Sequence, residues 1–119
     1  MFETEINKIN SYLREQLWMD FEVCNSNRGS VELFGFIDEA AETQIRITFM
    51  QPYVLNSTFF FTFEGGDSFI SILCGEEAFV INKQYNVMQG NYIFKLSNTN
   101  IDTDMFIIAK GIAVQIMED

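Results

Sequence analysis

The stretches VELFGFI, residues 31–37, and QIRITF, residues 44–49, place side chains of different character on alternate positions. In the second stretch Ile45, Ile47 and Phe49 alternate with polar residues. This period of two is typical of a β-strand that buries one of its faces. A short polar connection that contains Asp38 and Glu42 separates the two stretches, as in a hairpin. The sequence therefore predicts an antiparallel pair of strands at the centre of the fold.

The same period continues on both sides of this pair. The predicted strands span residues 21–25, 31–37, 45–49, 54–64, 68–74, 78–82, 87–97 and 104–117. Short connections favour antiparallel neighbours, and so we expect a curled antiparallel meander or an open barrel of about seven to eight strands. Gly111 interrupts the long last strand and predicts a bulge or bend that lets this strand serve two parts of the sheet.

The amino-terminal segment, residues 2–18, is the one stretch with a helical period. Its apolar residues fall on one stripe of a helix: Phe2, Ile6, Ile9, Leu13 and Leu17. We expect an amphipathic helix packed on the sheet. The predicted fold is α+β and mostly β, a single domain over residues 1–119 with a helix at 2–18 and strands over 20–117.

The aromatic content predicts a large core. Hydrophobic residues make up 48% of the 119 residues, and 13 of these are phenylalanine. The run from Phe59 to Phe63 carries rings on both faces of one strand, which predicts that both faces are covered. Three interpretations remain open: a strand in a filled core, the wall of a cavity for an apolar ligand, or an exposed interface.

The charge balance reduces the number of functional classes that fit the sequence. The chain has 17 acidic and 7 basic side chains, a formal net charge of -10 and no histidine. Histidine is the usual general base and the commonest metal ligand, and so we expect neither an enzyme nor a cofactor. The negative potential opposes binding to nucleic acid and to anionic membranes, and it attracts basic protein surfaces.

The two cysteines, Cys24 and Cys74, are expected to be free thiols. The first residues lack the basic start and apolar run of an export signal, which predicts a cytoplasmic protein. Disulfides are rare in that compartment, and two cysteines do not complete a metal site.

The polar residues before the end of the chain match a calcium-binding loop only in part. Asn98, Asn100, Asp102 and Asp104 have the alternating spacing of calcium ligands. The turn of such a loop needs a glycine, and its twelfth position needs a glutamate, whereas this chain has Ala109 there. We therefore expect no metal.

Carboxylates gather in the predicted connections. The candidate partner-binding residues are Asp38, Glu39, Glu42, Glu76, Glu77, Asp102 and Asp104. Alternate connections of a meander emerge at the same end of the sheet, and so some of these groups should form one acidic rim. Solvated surface charge is the simpler interpretation, but the net charge exceeds the magnitude of about 2–8 that serves solubility in a small domain.

The pattern resembles that of small, acidic, sheet-rich immunity proteins, which bacteria make against the toxins of their neighbours. The residues that carry the likeness are the short amino-terminal segment, the strand QIRITF at 44–49 and the last strand FIIAKGIAVQI at 106–116. The resemblance implies a cytosolic protein that binds one basic toxin domain and blocks it, and it assigns no residue a role. The alternatives are a phage-encoded inhibitor of a host defence or nuclease protein, acting as an acidic mimic, and a small apolar-ligand-binding barrel.

Overall fold

Two antiparallel sheets and two helices build the fold in the computed structural model, which describes residues 1–38 and 42–117. The elements are α1 (Glu3–Arg14), β1 (Met19–Cys24), β2 (Ser30–Phe36), β3 (Ile45–Met50), β4 (Val54–Asn56), β5 (Phe60–Phe63), β6 (Ile70–Ile72), α2 (Gly75–Tyr85), β7 (Tyr92–Leu96), β8 (Met105–Ala109) and β9 (Gly111–Ile116). Sheet A has the strand order β5-β1-β2-β3-β9, and sheet B has the order β4-β8-β7-β6.

The inner faces of the two sheets share one core that is dominated by stacked rings. Phe69, from the connection before β6, lies with its ring centroid 4.7 Å from that of Phe21 and 5.5 Å from that of Phe63. All three side chains are fully buried, and such rings contribute their buried area as well as favourable ring geometry. Ile9 and Leu13 of α1 reach the same core, and α1 contacts both β9 of sheet A and β6 of sheet B.

The second helix, α2, covers the outer face of sheet B. Ala78, Ile81 and Tyr85 recur at the spacing of one helix face and pack on a small cluster that includes Phe106 and Ile108. Each of the three side chains stays partly exposed. The structure therefore has the layer order α2, sheet B, core and sheet A, with α1 packed between two sheet edges.

The predicted class, α+β and mostly β, is confirmed, and so is the run of hairpins from β1 to β3. The open barrel and the expected seven to eight strands are matched only in part, because the nine strands of the described residues divide into two separate sheets. The predicted strand over 54–64 is in fact β4 of sheet B and β5 of sheet A. The predicted strand over 104–117 likewise contributes β8 to sheet B and β9 to sheet A, and the expected bend lies at Lys110 and Gly111.

Two predicted elements differ from the structure. The helix expected over 2–18 ends at Arg14, and Leu17, assigned to its apolar stripe, is 89% exposed. The N–H groups of Glu15 and Gln16 close the last turn tightly, and the chain then leaves the helix axis to enter β1. The strand expected over 78–82 belongs to α2, because Ala78 and Ile81, three residues apart, pack together on the outer face of sheet B.

Candidate functional site on the exposed face of helix α2

Helix α2 carries apolar residues on the side that faces solvent as well as on the side that packs. Phe79 is 65% exposed and Val80 is 57% exposed. Glu76 and Lys83 lie three or four residues away along the helix, which puts the four side chains on one surface. We call this surface, Glu76, Phe79, Val80 and Lys83, the α2 face.

The α2 face combines exposed apolar side chains with charged ones. Single exposed apolar side chains are ordinary, but Phe79 and Val80 are adjacent and charged residues flank them. Interfaces combine an aromatic anchor at the centre with polar residues at the rim. Phe79 can serve as such an anchor without any rearrangement of the core, since its ring already projects into solvent.

The predicted residue Glu76 forms the acidic end of this face, and the predicted residue Glu77 lies beside it. Both are exposed in the first turn of α2, where the positive end of the helix dipole stabilises their negative charge. The Oε2 atom of Glu77 lies 3.4 Å from Nζ of Lys95 on β7. Lys95 also lines a surface cavity of about 230 Å³ together with Asp102 and Asp104. Asp102 and Asp104 thus line the same cavity as the lysine that Glu77 contacts, and this lysine belongs to an inner strand of sheet B.

The other predicted carboxylates belong to sheet A. Asp38 follows β2 and Glu42 precedes β3, so both lie beside the connection between these strands. Glu39 falls outside the residues that the structure describes. The expected rim is therefore divided, with one group of carboxylates near α2 and another at the end of the β2–β3 hairpin.

Two of the residues with calcium-like spacing have structural roles. The Asn98 side chain donates to the carbonyl oxygen of Ser68 at 2.6 Å. The Asn100 side-chain oxygen accepts from the Thr62 N–H at 2.8 Å, and the backbone N–H of Asn100 donates to the Thr62 carbonyl oxygen at 2.9 Å. These bonds cover the outer edge of β5. Across residues 1–38 and 42–117, no group of three or more histidine, cysteine or acidic side chains is placed to hold a metal ion.

A second exposed aromatic surface lies on the outer face of sheet A, and the sequence interpretation missed it. The rings of Phe36 and Phe60 have centroids 6.1 Å apart, and the Arg46 guanidinium lies 5.0 Å from the centre of the Phe34 ring. Glu22 on β1 is paired with Phe60 on β5 and with Phe34 on β2. Phe34 and Phe36 lie on the face of β2 opposite to the face that carries Val31 and Leu33. This alternation could have indicated aromatic side chains on the outer face.

The expectation that the Phe59–Phe63 strand is covered on both faces is wrong. Phe61 and Phe63 are fully buried and pack against Phe69, whereas Phe60 is 45% exposed and Phe59 is 76% exposed. Strand β5 is an edge strand, and the outer face of sheet A carries no helix among the described residues. The inward rings belong to the core, and the outward rings form part of the surface.

The two thiols are free and lie in different surroundings. Cys24 ends β1 and is half-buried, whereas Cys74 is exposed immediately before α2. Partial burial raises the pKa of the Cys24 thiol, and the nearby carboxylates of Glu22 and Glu32 raise it further. A raised pKa lowers the thiolate fraction, and so Cys24 is not activated as a nucleophile.

Comparisons of this chain with family models, with curated proteins and with solved structures found no match. Neither helix within the described ranges is long and apolar enough to cross a membrane. Function is therefore inferred from the exposed surfaces of the chain itself.

Proposed function

We propose that this protein binds a second protein through the α2 face and blocks it, as an immunity protein blocks its toxin. The observation that carries the proposal is the exposure of Phe79 and Val80 beside Glu76 and Glu77, in a chain of net charge -10. The partner it fits is a protein with a basic surface, such as a toxin domain or a nuclease.

The aromatic and the acidic residues of this surface contribute to different quantities, the affinity and the association rate. A buried aromatic anchor supplies most of the affinity of an interface, whereas exposed carboxylates at its rim steer the encounter with an oppositely charged partner. Exposed ion pairs such as Glu77 with Lys95 contribute little to folding stability. The excess of exposed acid is better explained by association with a basic surface than by stability of the fold.

An inhibitor encoded by a phage is the alternative with the same physics. Such a protein would occupy a basic groove built for phosphate and would differ from an immunity protein in its target. The outer face of sheet A, with Glu22 among its partly exposed aromatic rings and Glu32 paired with Arg46, offers a second surface for that purpose. A toxin reading frame beside the gene favours immunity, and prophage genes favour the inhibitor.

The apolar-ligand barrel remains an untested alternative with less support. Its candidate wall, the strand from Phe59 to Phe63, has its inward rings stacked on Phe21 and Phe69 with centroids 5.5 to 6.2 Å apart. Side chains therefore occupy the space next to these rings.

The test begins with affinity capture of the partner from the source organism and continues with association and dissociation rates at two salt concentrations. We expect Glu76→Lys with Glu77→Lys to lower the association rate more than it raises the dissociation rate, and salt to have the same effect. Phe79→Ala should raise the dissociation rate by about ten-fold or more.

The matched control reverses Glu15 and Asp67, two exposed acids away from α2, and makes the same change in net charge. An association rate that responds equally to both double variants would show that overall charge acts without a defined site. A rate that ignores salt and both reversals would contradict the proposal and favour the apolar-ligand alternative.

A further inference from the structure

A cleft opens between helix α1 and the outer edge of sheet B. Its volume is about 430 Å³, within the roughly 300–1,000 Å³ of ligand pockets. The residues that matter most in its lining are Glu3, Ile6, Asn7, Asn10, Ile72 and Tyr92. The cleft thus has an apolar base and polar groups along its helical wall.

One end of the cleft is closed by a side chain that takes the place of a neighbouring strand. β6 is the last strand of sheet B, and so one side of its backbone faces away from the sheet. The Asn10 Nδ2 atom donates to the Ile70 carbonyl oxygen at 2.8 Å, and the N–H groups of Phe69 and Ile70 donate to Asn10 Oδ1 at 2.9 and 3.0 Å. Both backbone groups of Ile70 that face away from the sheet therefore have a hydrogen-bond partner.

Two residues farther along β6, the backbone groups that face away from the sheet have no hydrogen-bond partner among the described residues. The Leu73 N–H donates to the Ile93 carbonyl oxygen at 2.9 Å, and the Ser97 N–H donates to the Phe69 carbonyl oxygen at 2.7 Å. Hydrogen-bonded and non-hydrogen-bonded pairs alternate in an antiparallel ladder, and so the N–H and C=O groups of Ile72 point away from β7. Nothing within residues 1–38 and 42–117 bonds either group.

The helical wall carries a second amide beside this open edge. Asn7 lies three residues before Asn10, on the same side of α1, and it also lines the cleft. Its side chain makes no hydrogen bond to the described part of the chain. Glu3, one turn earlier, places an exposed carboxylate at the mouth of the cleft, where it accepts a hydrogen bond from the amino group of Met1.

We propose that this cleft binds an extended segment of another polypeptide as an added strand beside β6. An unpaired N–H and C=O on one strand residue match the backbone of an extended chain, which offers both an acceptor and a donor at that spacing. The segment places an apolar side chain between Ile6 and Ile72. A lysine or arginine near it shares the Glu3 carboxylate with the Met1 amino group, as the net charge of -10 favours a basic segment.

This site is separate from the α2 face, because it lies at the edge of sheet B rather than on its outer face. The test uses a short acetylated peptide of alternating valine and threonine with a lysine at each end, titrated into the ¹⁵N-labelled protein. We expect the Ile72 amide resonance to shift and its hydrogen exchange to slow by about ten-fold or more.

Two matched peptides identify what is recognised. An analogue N-methylated at the central residues keeps the side chains and loses main-chain donors, and we expect it to bind at least ten-fold more weakly. An analogue with glutamate at both ends should also bind more weakly. Equal binding of the N-methylated peptide would mean that the cleft takes an apolar side chain alone, and this would overturn the added strand.

Protein variants locate the site. Asn7→Ala removes an exposed, unbonded side chain, and so the fold should persist while peptide affinity falls by about five-fold. Phe79→Ala should leave peptide binding unchanged, which separates this proposal from the one for the α2 face. No shift of Ile72 at a peptide concentration of about 1 mM, or an equal affinity of the Asn7→Ala variant, would refute the proposal.

Discussion

The side chain of Asn10 binds both the N–H and the C=O of Ile70, as the backbone of a neighbouring strand would do. A helix residue thus closes part of a sheet edge and holds α1 against sheet B. The partners are 60 residues apart in the sequence, and so this contact forms only when α1 packs against sheet B.

Replacing Asn10 by alanine should lower the free energy of unfolding by about 1–3 kcal/mol, because three backbone groups, the N–H of Phe69 and the N–H and C=O of Ile70, lose a partner in a partly buried position. Urea unfolding followed by circular dichroism measures the change. Asn7→Ala is the control, since Asn7 lies one turn away without such bonds, and it should change stability by less than about 0.5 kcal/mol. Equal effects of the two variants would contradict the role of Asn10 at the edge.

Gly35 should not tolerate a side chain. An added Cβ would lie 2.5 Å from Ile45 Cγ2 and 2.9 Å from Phe21 Cε1, both in the core. Gly35→Ala should therefore destabilise the protein by about 1–3 kcal/mol through overpacking. Gly111→Ala is the control, because its nearest neighbour is the flexible end of Met50. A thermal melt in which both variants lose the same stability would contradict this view of Gly35.

Phe69 should be among the most sensitive positions of the core. Its ring is fully buried between Phe21, Phe61 and Phe63. Phe69→Ala should cost about 3–5 kcal/mol, the sum of lost burial and a new cavity. Phe59→Ala, at an exposed position, should change the free energy of unfolding by less than about 0.5 kcal/mol. Chemical denaturation distinguishes the two, and a mild effect at Phe69 would mean that the core repacks.

The two thiols should differ in reactivity. Because the pKa of Cys24 is raised, less of it is thiolate at a given pH, and its half-buried position slows access further. Under native conditions near pH 8, iodoacetamide should label Cys74 first, and labelling of Cys24 should rise as the pH rises. Mass spectrometry of peptides after timed labelling measures both rates. Cys74→Ser is the control that isolates Cys24, and faster labelling of Cys24 would contradict the pKa direction.

Helix α2 should open more readily than the sheets. None of its residues is fully buried, whereas Val31 and Leu33 of β2 lie in the core. Its backbone amides should therefore exchange with solvent at least ten-fold faster than those of β2. Hydrogen exchange followed by NMR tests this difference. Equal protection would mean that α2 unfolds together with the core.

Much of the local structure follows from the sequence by itself. The alternation over 31–37 and 44–49 predicts β2 and β3, and the stripe from Phe2 to Leu13 predicts α1, because each pattern relates residues that are near neighbours in the chain. The acidity of the surface also follows from composition. These features need no knowledge of which distant residues meet.

The tertiary structure alone decides which sheet each strand joins. Residues 54–64 look like one strand, yet β4 pairs with β8 and β5 pairs with β1, because each half finds its apolar partners in a different layer. The apolar run at 78–82 is too short to separate a strand from a helix, and the outer face of sheet B selects α2. As part of a helix, Phe79 joins Glu76 on one exposed surface, and Ile72 is left at an open edge. Both candidate sites therefore depend on pairings between residues far apart in the chain, which local periodicity does not encode.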